Sequence, residues 1–583
     1  MAGEAARTPL SWQEVRSLFW HKRRWNRPCG DLFSVRHDGR ESSRSTLGMS
    51  AADDHGAGGI LSAGLVLFTA AAGAGLLSFP FAFMQSGAVL CTLLTALFAF
   101  GNLLSDAVLV QTCSLFSSTL RARTYEELCY RALGVRAYLL AVASILVGTL
   151  GGLVGFAIVL GDLSIPVAEH LAGCSGAACP WWLGRPFITL FFAIVVVLPL
   201  SSLKRMHGLA WSSALATLSV LAVGGVILQH GAARWEGAAV EAFATSAPDS
   251  SSAGALEAPL VLVRLQAGVL LGVPICVFSL GHNCQVVPVF AELGAPAQRR
   301  FGLAALSAVG ACWLLYCATG AAGYLAWRDA TRGDALLNMA PGEPAADAAK
   351  ALLALHVLLP YPVLLWPARE SLATLLRRAG MGAGEGGADG ASSTAAPRRA
   401  RAALALAASP LAQSSLLVLG TAGAAIAAPQ VALVFGLAGA TTATLGIYLL
   451  PGALLWRWAR AAEAGRAGEA GAGAGEGAGE GAGASARADS APLLPRAPLD
   501  CTPARAAFQP YADGWCEEDA AAVWAQAAAR CAPGSAAPLT AQLLPRGARP
   551  LRALAVAMLA TGGAVAVGGT GVFVWSTWLQ RVG

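Results

Sequence analysis

The chain has 583 residues, 56% of them hydrophobic and only 13% charged, with a mean hydropathy of +0.57. Soluble globular domains carry about 25% charged residues, so this composition excludes an ordinary soluble protein and points to the bilayer. The net charge of +6 is modest; the sequence carries no P-loop, nucleophile motif or metal-ligand cluster, and nothing that favours nucleic acid over membrane, so neither an enzyme nor a metalloprotein is expected.

Residues 1–58 form a basic tail with an aromatic patch, SWQEVRSLFWHKRRW. Such a stretch suits an anionic membrane surface or a partner, or simply sets orientation as a mostly disordered tail. Its first 50 residues lack the apolar core of a cleavable leader. A hydrocarbon layer of about 30 Å needs roughly 20 apolar residues per helix. Eleven segments meet this, near 60–84, 88–113, 135–162, 186–203, 207–228, 260–289, 301–327, 348–368, 403–427, 430–456 and 551–578, here called spans 1 to 11. The ninth is the weakest, being rich in alanine rather than leucine. With the N-terminus in the cytosol, 33 of the 40 Lys and Arg fall on the inner side, as the positive-inside rule demands.

Cys174 and Cys179 lie in the expected outer loop after span 3, on an oxidising side where a disulfide or a free pair are both open readings. None of the four Asn residues begins a glycosylation sequon. Residues 59–460 form the expected core with spans 1 to 10. Residues 461–549, containing AGAGAGEGAGEGAGASA, read as a flexible cytosolic insertion, and 550–583 as the eleventh helix with a short C-terminus. Residues 380–400 are a second, shorter linker. Within the insertion Asp489, Leu493 and Leu494 fit an acidic dileucine pattern for a cytosolic sorting adaptor.

Span 1 contains FTAAAGAGLLSFPFAF (68–83), with two glycines and a proline where an unbroken helix is expected. In lipid, opened backbone is tolerated only where protein buries it or a cavity borders it. Small-residue helix packing is the bland alternative. Span 6 tips the balance. Its stretch GVPICVFSLGHNCQVVPVFAEL (272–293) is interrupted by Pro274, Gly281 and Pro288 and carries Ser279, His282, Asn283 and Gln285 at membrane depth. Spans 1 and 6 each open a set of five helices, and paired interruptions in two halves mark a transporter's binding site.

These residues resemble the amino acid/auxin permease family of the amino acid–polyamine–organocation superfamily, nearest its sodium-coupled neutral amino acid transporter branch. The likeness rests on GAGLLSFP (73–80), RTYEELCYRALG (123–134), PVLLWPAR (362–369) and FGLAGATTATLGIYLLP (435–451), and on Phe278, His282, Pro288, Glu292 and Leu293 in span 6. It implies an all-α polytopic membrane protein with a LeuT-like 5+5 inverted repeat, broken helices one and six, and an eleventh helix. It also implies alternating-access transport of amino acids, with small neutral L-amino acids as substrates. Carried over, the backbone of Gly73, Ala74, Gly75 and Leu76 would receive the carboxylate, and carbonyls around Phe278, Ser279 and Leu280 the amine.

The sodium-coupled members place Asn where this chain has Thr69, and a Thr in span 8, where residues 349–367 contain neither Ser nor Thr. This favours a proton, or facilitated flow, over Na+. Thr69, His282 and His356 are the candidates for ion coupling; the bland reading of each histidine is a packed, hydrogen-bonded side chain. Asp106 reads as an interfacial residue near the inner end of span 2. A sensor using the same pocket to signal through its tail is the rival function. A vacuolar or lysosomal membrane and the plasma membrane fit equally.

Overall fold

The computed structural model describes residues 57–115, 122–174, 178–201, 210–244, 260–339, 343–358, 360–385, 409–428, 430–475 and 548–582. The basic tail and the Asp489, Leu493 and Leu494 pattern lie outside them. Every regular element among the described residues is helical. Eight helices are long and apolar enough to cross a membrane, and a ninth span is the pair Gly59–Ala71 and Ala74–Ser86, bent by 48° at its break. The remaining two expected spans are irregular. Span 4 is the short apolar segment Arg185–Ser201. Span 8 is divided into Pro344–Leu358 and Tyr361–Glu385 around Pro360, a residue type that disfavours helix immediately before it.

Helix faces follow the expected division between lipid and protein. In span 2, Ala88–Cys113, Leu93, Leu97 and Phe100 recur at helical spacing and are exposed, whereas Thr95, Phe98 and Asn102 are buried. Beyond Leu104 this helix is buried on all sides up to Cys113. There it meets the short helix Tyr125–Leu133 and span 10. Thr124 caps the short helix by accepting from the Glu127 amide, and Glu127 pairs with Arg131 one turn on.

Span 1 packs against spans 6 and 7, span 3 against spans 8, 9 and 10, and span 5 against spans 7 and 8. Span 11, Ala548–Val582, lies on spans 10 and 6. The two broken spans therefore occupy the middle of the bundle, held by uninterrupted neighbours.

Among the differences from the sequence expectation are two boundaries and the winding of one span. The helix of span 6 begins at Val269 rather than 260. Residues 260–264 instead pair with the start of span 2: the amides of Ala88 and Val89 donate to the Val261 and Leu262 carbonyls, and Arg264 donates to Ser86. Gly87 makes this pairing, because its φ of +84° turns the chain and any Cβ would strike the Leu262 backbone. Span 10 continues as helix to Gly475, so the first part of the expected insertion is ordered by its alanines, the best helix formers. Span 10 also winds wide: Gly439–Ala443 and Leu445–Leu449 are π-helical. Gly439 sits where a Cβ would overlap the Pro274 carbonyl, bringing span 10 onto the kinked part of span 6. Carbonyls in this stretch find partners elsewhere, Thr442 from Ser144 at 3.0 Å and Gly446 from Tyr125 at 2.8 Å.

Candidate functional site

The first break leaves backbone donors. The helix of span 1 stops at Ala71, Gly73 is extended (φ −141°, ψ −157°), and a 3-10 turn runs Ala74–Ser78 before helix resumes at Phe79. Pro80 stands in the first turn of the resumed helix, where its missing N–H costs nothing. Tyr316 of span 7 staples the opening: its hydroxyl donates to the Ala71 carbonyl at 2.7 Å and accepts from the Gly73 amide at 3.2 Å. Its ring stacks on Phe79 at 4.6 Å. The Leu76 amide is spent on Gly73 O at 3.1 Å. The amides of Ala74 and Gly75 have no acceptor among the described residues, and both residues are buried.

The second break leaves acceptors. Span 6 is helical over Val269–Ser279, opens at Leu280–His282, and resumes over Asn283–Glu292. The Leu280 carbonyl accepts from Asn102 Nδ2 at 2.5 Å and from His282 Nδ1 at 3.0 Å. Both its lone pairs are thereby engaged, so in this conformation it is not free for a substrate amine. The Phe278 carbonyl accepts the Gly281 amide at 3.0 Å, and the Phe278 ring stacks on Phe435 at 4.9 Å. The carbonyls of Val277 and Ser279 have no donor among the described residues.

The two breaks touch. A Cβ at Gly75 would overlap the Ser279 side chain, whereas one at Gly73 would meet nothing within 4 Å. Gly75 thus serves close approach between the breaks, and Gly73 borders open space. Ser279 itself turns its hydroxyl back to Ile275 O at 2.8 Å.

One end of the bundle closes over this point. Ser78 Oγ donates to the Gly333 carbonyl at 2.8 Å, tying the 3-10 turn to the connection after span 7. Ala335, Leu336 and Met339 of that connection share an apolar core with Ala74, Leu76 and Cys276. Asp334 is buried there. Burial raises its carboxyl to about 6, opposed by the Leu336 amide and by Arg185 and Lys350. Arg185 also pairs with Asp162. Cys174 and Cys179 are joined by a disulfide.

The ion-coupling candidates separate. Thr69 Oγ1 donates to Leu65 O at 2.8 Å and lies 3.2 Å from Thr217 Oγ1 of span 5. His356 is buried in a T-shaped contact with Phe156 at 5.9 Å, and neither ring nitrogen has a partner among the described residues. His282 sits in the span 6 break and is hydrogen-bonded at both nitrogens, to Leu280 O and to Asp106 Oδ2. Asp106 is 2% exposed and faces this break, bonded to His282. Asn102 and Asp106 are four apart in one helix, a spacing that puts both on one face and was legible in the sequence. Tyr316 had no such signal beyond being polar at membrane depth.

A family model described as transmembrane amino acid transporter protein matches residues 56–462. The chain belongs to that family. It is a multi-pass integral membrane protein, and its family is one of transporters rather than enzymes. Human sodium-coupled neutral amino acid transporter 7 is 26% identical over 53% of this chain and 63% of its own. The Xenopus laevis protein of the same name is 28% identical over 55% and 68%. Mouse solute carrier family 38 member 8 is 25% identical over 53% and 67%. The match thus spans less than two thirds of the human relative's length. A solved Na+-coupled sialic acid symporter covers 68% of this chain and 81% of its own at 15% identity, with a TM-score of 0.33, too loose a likeness to build on.

Proposed function

We propose that this chain moves free amino acids across a membrane by alternating access, with the zwitterion held between the breaks of spans 1 and 6. The carrying observation is complementary chemistry at the contact of Gly75 with Ser279. Unpaired Ala74 and Gly75 amides stand on one side, and unpaired Val277 and Ser279 carbonyls on the other. The start of a helical segment offers N–H groups to a carboxylate, and the end of one offers C=O groups to an ammonium. Gly73 and Leu76 shape the first side and Phe278 the second. Leu76, Leu77 and Val277, next to the breaks, are buried apolar side chains, which favours small neutral substrates in this reading.

In this reading the tie from Ser78 to the Gly333 carbonyl closes one end of the site. Rocking of the span 1 and span 6 pair against the other helices would open it.

The coupling ion in this reading is a proton. Thr69 is bonded within its own helix and to span 5, and span 8 offers no Ser or Thr oxygen over 349–367. The names of the relatives carry sodium. Uptake of a mixed amino acid panel into proteoliposomes, with Na+ and proton gradients imposed separately, decides between them. Proton-driven accumulation is the expected result. Sodium-driven accumulation alone refutes the proton, and binding without uptake or exchange refutes transport in favour of a sensor. The N-terminus would face the cytosol, as would the Asp489, Leu493 and Leu494 pattern, in a vacuolar, lysosomal or plasma membrane; protease protection of a terminal tag checks the side.

A further inference from the structure

Asp106 and His282 form the most enclosed acid–base ion pair among the described residues, with side chains 2% and 1% exposed and Nε2 2.9 Å from Oδ2. Their hydrogen-bond valence fixes how many protons they hold. The Leu280 carbonyl only accepts, so His282 Nδ1, 3.0 Å away, carries a hydrogen. Asp106 Oδ1 accepts from Asn283 Nδ2 at 3.2 Å, and the same amide nitrogen lies 2.9 Å from Ser105 Oγ. What remains is the Nε2 to Oδ2 contact, which needs one hydrogen. Either an imidazolium donates to a carboxylate, or a carboxylic acid donates to a neutral imidazole. In both cases the pair contains a single shared proton and has no net charge.

Withdrawing that proton leaves a carboxylate facing the Nε2 lone pair, two acceptors at hydrogen-bonding distance in a buried site. Among the described residues no Lys or Arg is bonded to either member of the pair. The first half of span 1, packed against the second half of span 6, has no titratable residue over Ala57–Ala71. The short helix contributes Tyr125, Glu126, Cys129, Tyr130 and the Glu127–Arg131 pair. Span 6 adds Cys276, Cys284 and Glu292, and span 7 adds Cys312, Tyr316, Cys317 and Tyr324. Span 2 itself adds Cys91 and Cys113. Span 10 adds Tyr448, Arg457, Arg460 and Glu463, with Arg457 reaching the Ala132 carbonyl and Glu463 paired to Arg552. Among the described residues the charged side chain in contact with His282 is Asp106.

The pair is also mechanical. His282 and Asn102 both hold the Leu280 carbonyl, at the C-terminal end of the first half of span 6. Asp106, Asn102 and Ser105 all come from span 2, so the break is latched to an uninterrupted helix while the proton is present.

We propose that Asp106 and His282 are the proton-binding site of this transporter: a buried pair that holds one proton, latches the span 6 break to span 2 through Leu280, and gives the proton up when that latch opens. This rests on the transport reading above and adds the residue pair, its stoichiometry of one, and the carbonyl through which it acts. No bond other than N–H or O–H is made or broken, and the proton passes between the pair and water.

The test has two readouts on the full chain. The first is nitrogen NMR of ring-labelled histidine in lipid nanodiscs, with His282 assigned by its loss in His282→Gln. Expected is a ring with Nδ1 protonated and Nε2 sharing a proton, unchanged through the pH near 6.5 where free imidazole titrates. In Asp106→Asn, Nε2 should lose that shared proton. A wild-type His282 that titrates as a free imidazole, or whose Nδ1 is bare, overturns the proposal whether or not transport is found. The second readout is proteoliposomes loaded with a pH-sensitive dye. The ratio of substrate-driven proton entry to amino acid counterflow should fall at least tenfold in Asp106→Asn and in His282→Gln. Wild-type counterflow without proton entry refutes the proton site and leaves transport standing. Absence of wild-type counterflow refutes transport and leaves the NMR result to decide the pair. If Asp106→Asn fails to fold, the wild-type ring signal and the His282→Gln proton ratio carry the test; if His282→Gln fails, Asp106→Asn carries both measurements, and the signal it moves assigns the ring.

Discussion

Tyr316→Phe removes one oxygen and leaves the rest of the side chain in place. The ring keeps its stack on Phe79 at 4.6 Å and 9°. What is lost is the staple of the first break, the bonds to Ala71 O at 2.7 Å and from Gly73 N at 3.2 Å. Tyr316 is fully buried and Ala71 nearly so, which keeps water from replacing the hydroxyl at the carbonyl. Each buried polar group left unpaired costs about 1–3 kcal/mol, and the half-buried Gly73 amide belongs at the low end, so a loss of about 2–4 kcal/mol is expected. If the cost falls on local opening, amide exchange across residues 68–79 should quicken by roughly 30-fold or more, since about 1.4 kcal/mol is tenfold. Hydrogen exchange read by mass spectrometry measures this directly, with peptides from span 3 as the control. Uptake should fall as well, because a break that wanders no longer presents the Ala74 and Gly75 amides together. Wild-type exchange over 68–79 and wild-type uptake in Tyr316→Phe would refute the idea that this hydroxyl sets the geometry of the break.

Gly75→Ala should abolish uptake and lower the melting temperature, since its methyl must displace Ser279, whereas Gly73→Ala should melt close to wild type because nothing lies within 4 Å of its Cβ. Equal melting temperatures for the two variants would contradict the contact between the breaks. Amino acid methyl esters and N-acetyl amino acids should both fail to compete with labelled substrate at concentrations where the parent zwitterion competes, because each lacks one of the two charges the breaks receive; competition by either would remove that charge from the reading. Asp334 makes stability depend on pH. Its folded value of about 6 lies above the unperturbed 3.8, so the folded state binds the extra proton and stability falls as pH rises between these values. Asp334→Asn should remove that slope from the melting curve, and an unchanged slope would place the titrating group elsewhere.

Much of the fold could be read from the chain because its main signals are local. Apolar length marks spans such as 88–113 and 301–327 to the residue, and those are the helices Ala88–Cys113 and Phe301–Trp327. The breaks were legible too, since Gly73, Gly75, Pro274 and Gly281 are unusual at membrane depth. Less accessible was whatever depends on a partner distant in sequence. The extended lead into span 6 follows from pairing with Ala88 and Val89, and apolar composition alone reads 260–268 as more helix. The π turns of span 10 answer to close packing on Pro274, and no residue in GATTATLGIYL announces them. Asp106 reads as interfacial from its one-dimensional position near the end of a helix; the partners its carboxylate meets, His282 and Asn283, lie 176 and 177 residues further along the chain.

Each break ends one helical segment and starts another, so each exposes both carbonyls and amides. At the contact of Gly75 with Ser279, the donors that follow Gly73 in span 1 meet the end of the first half of span 6, whose last groups are acceptors. In each break, one part of the opening is satisfied by a side chain from an unbroken neighbour: Tyr316 at Ala71 and Gly73, Asn102 and His282 at Leu280. The satisfied part holds the break in shape. On the transport reading proposed above, the part left over, the Ala74 and Gly75 amides at one break and the Val277 and Ser279 carbonyls at the other, is costly until a molecule with a carboxylate and an ammonium supplies what water would have supplied. A ligand that repays that cost in one conformation more than another shifts the balance between them, which is what alternating access requires of its substrate.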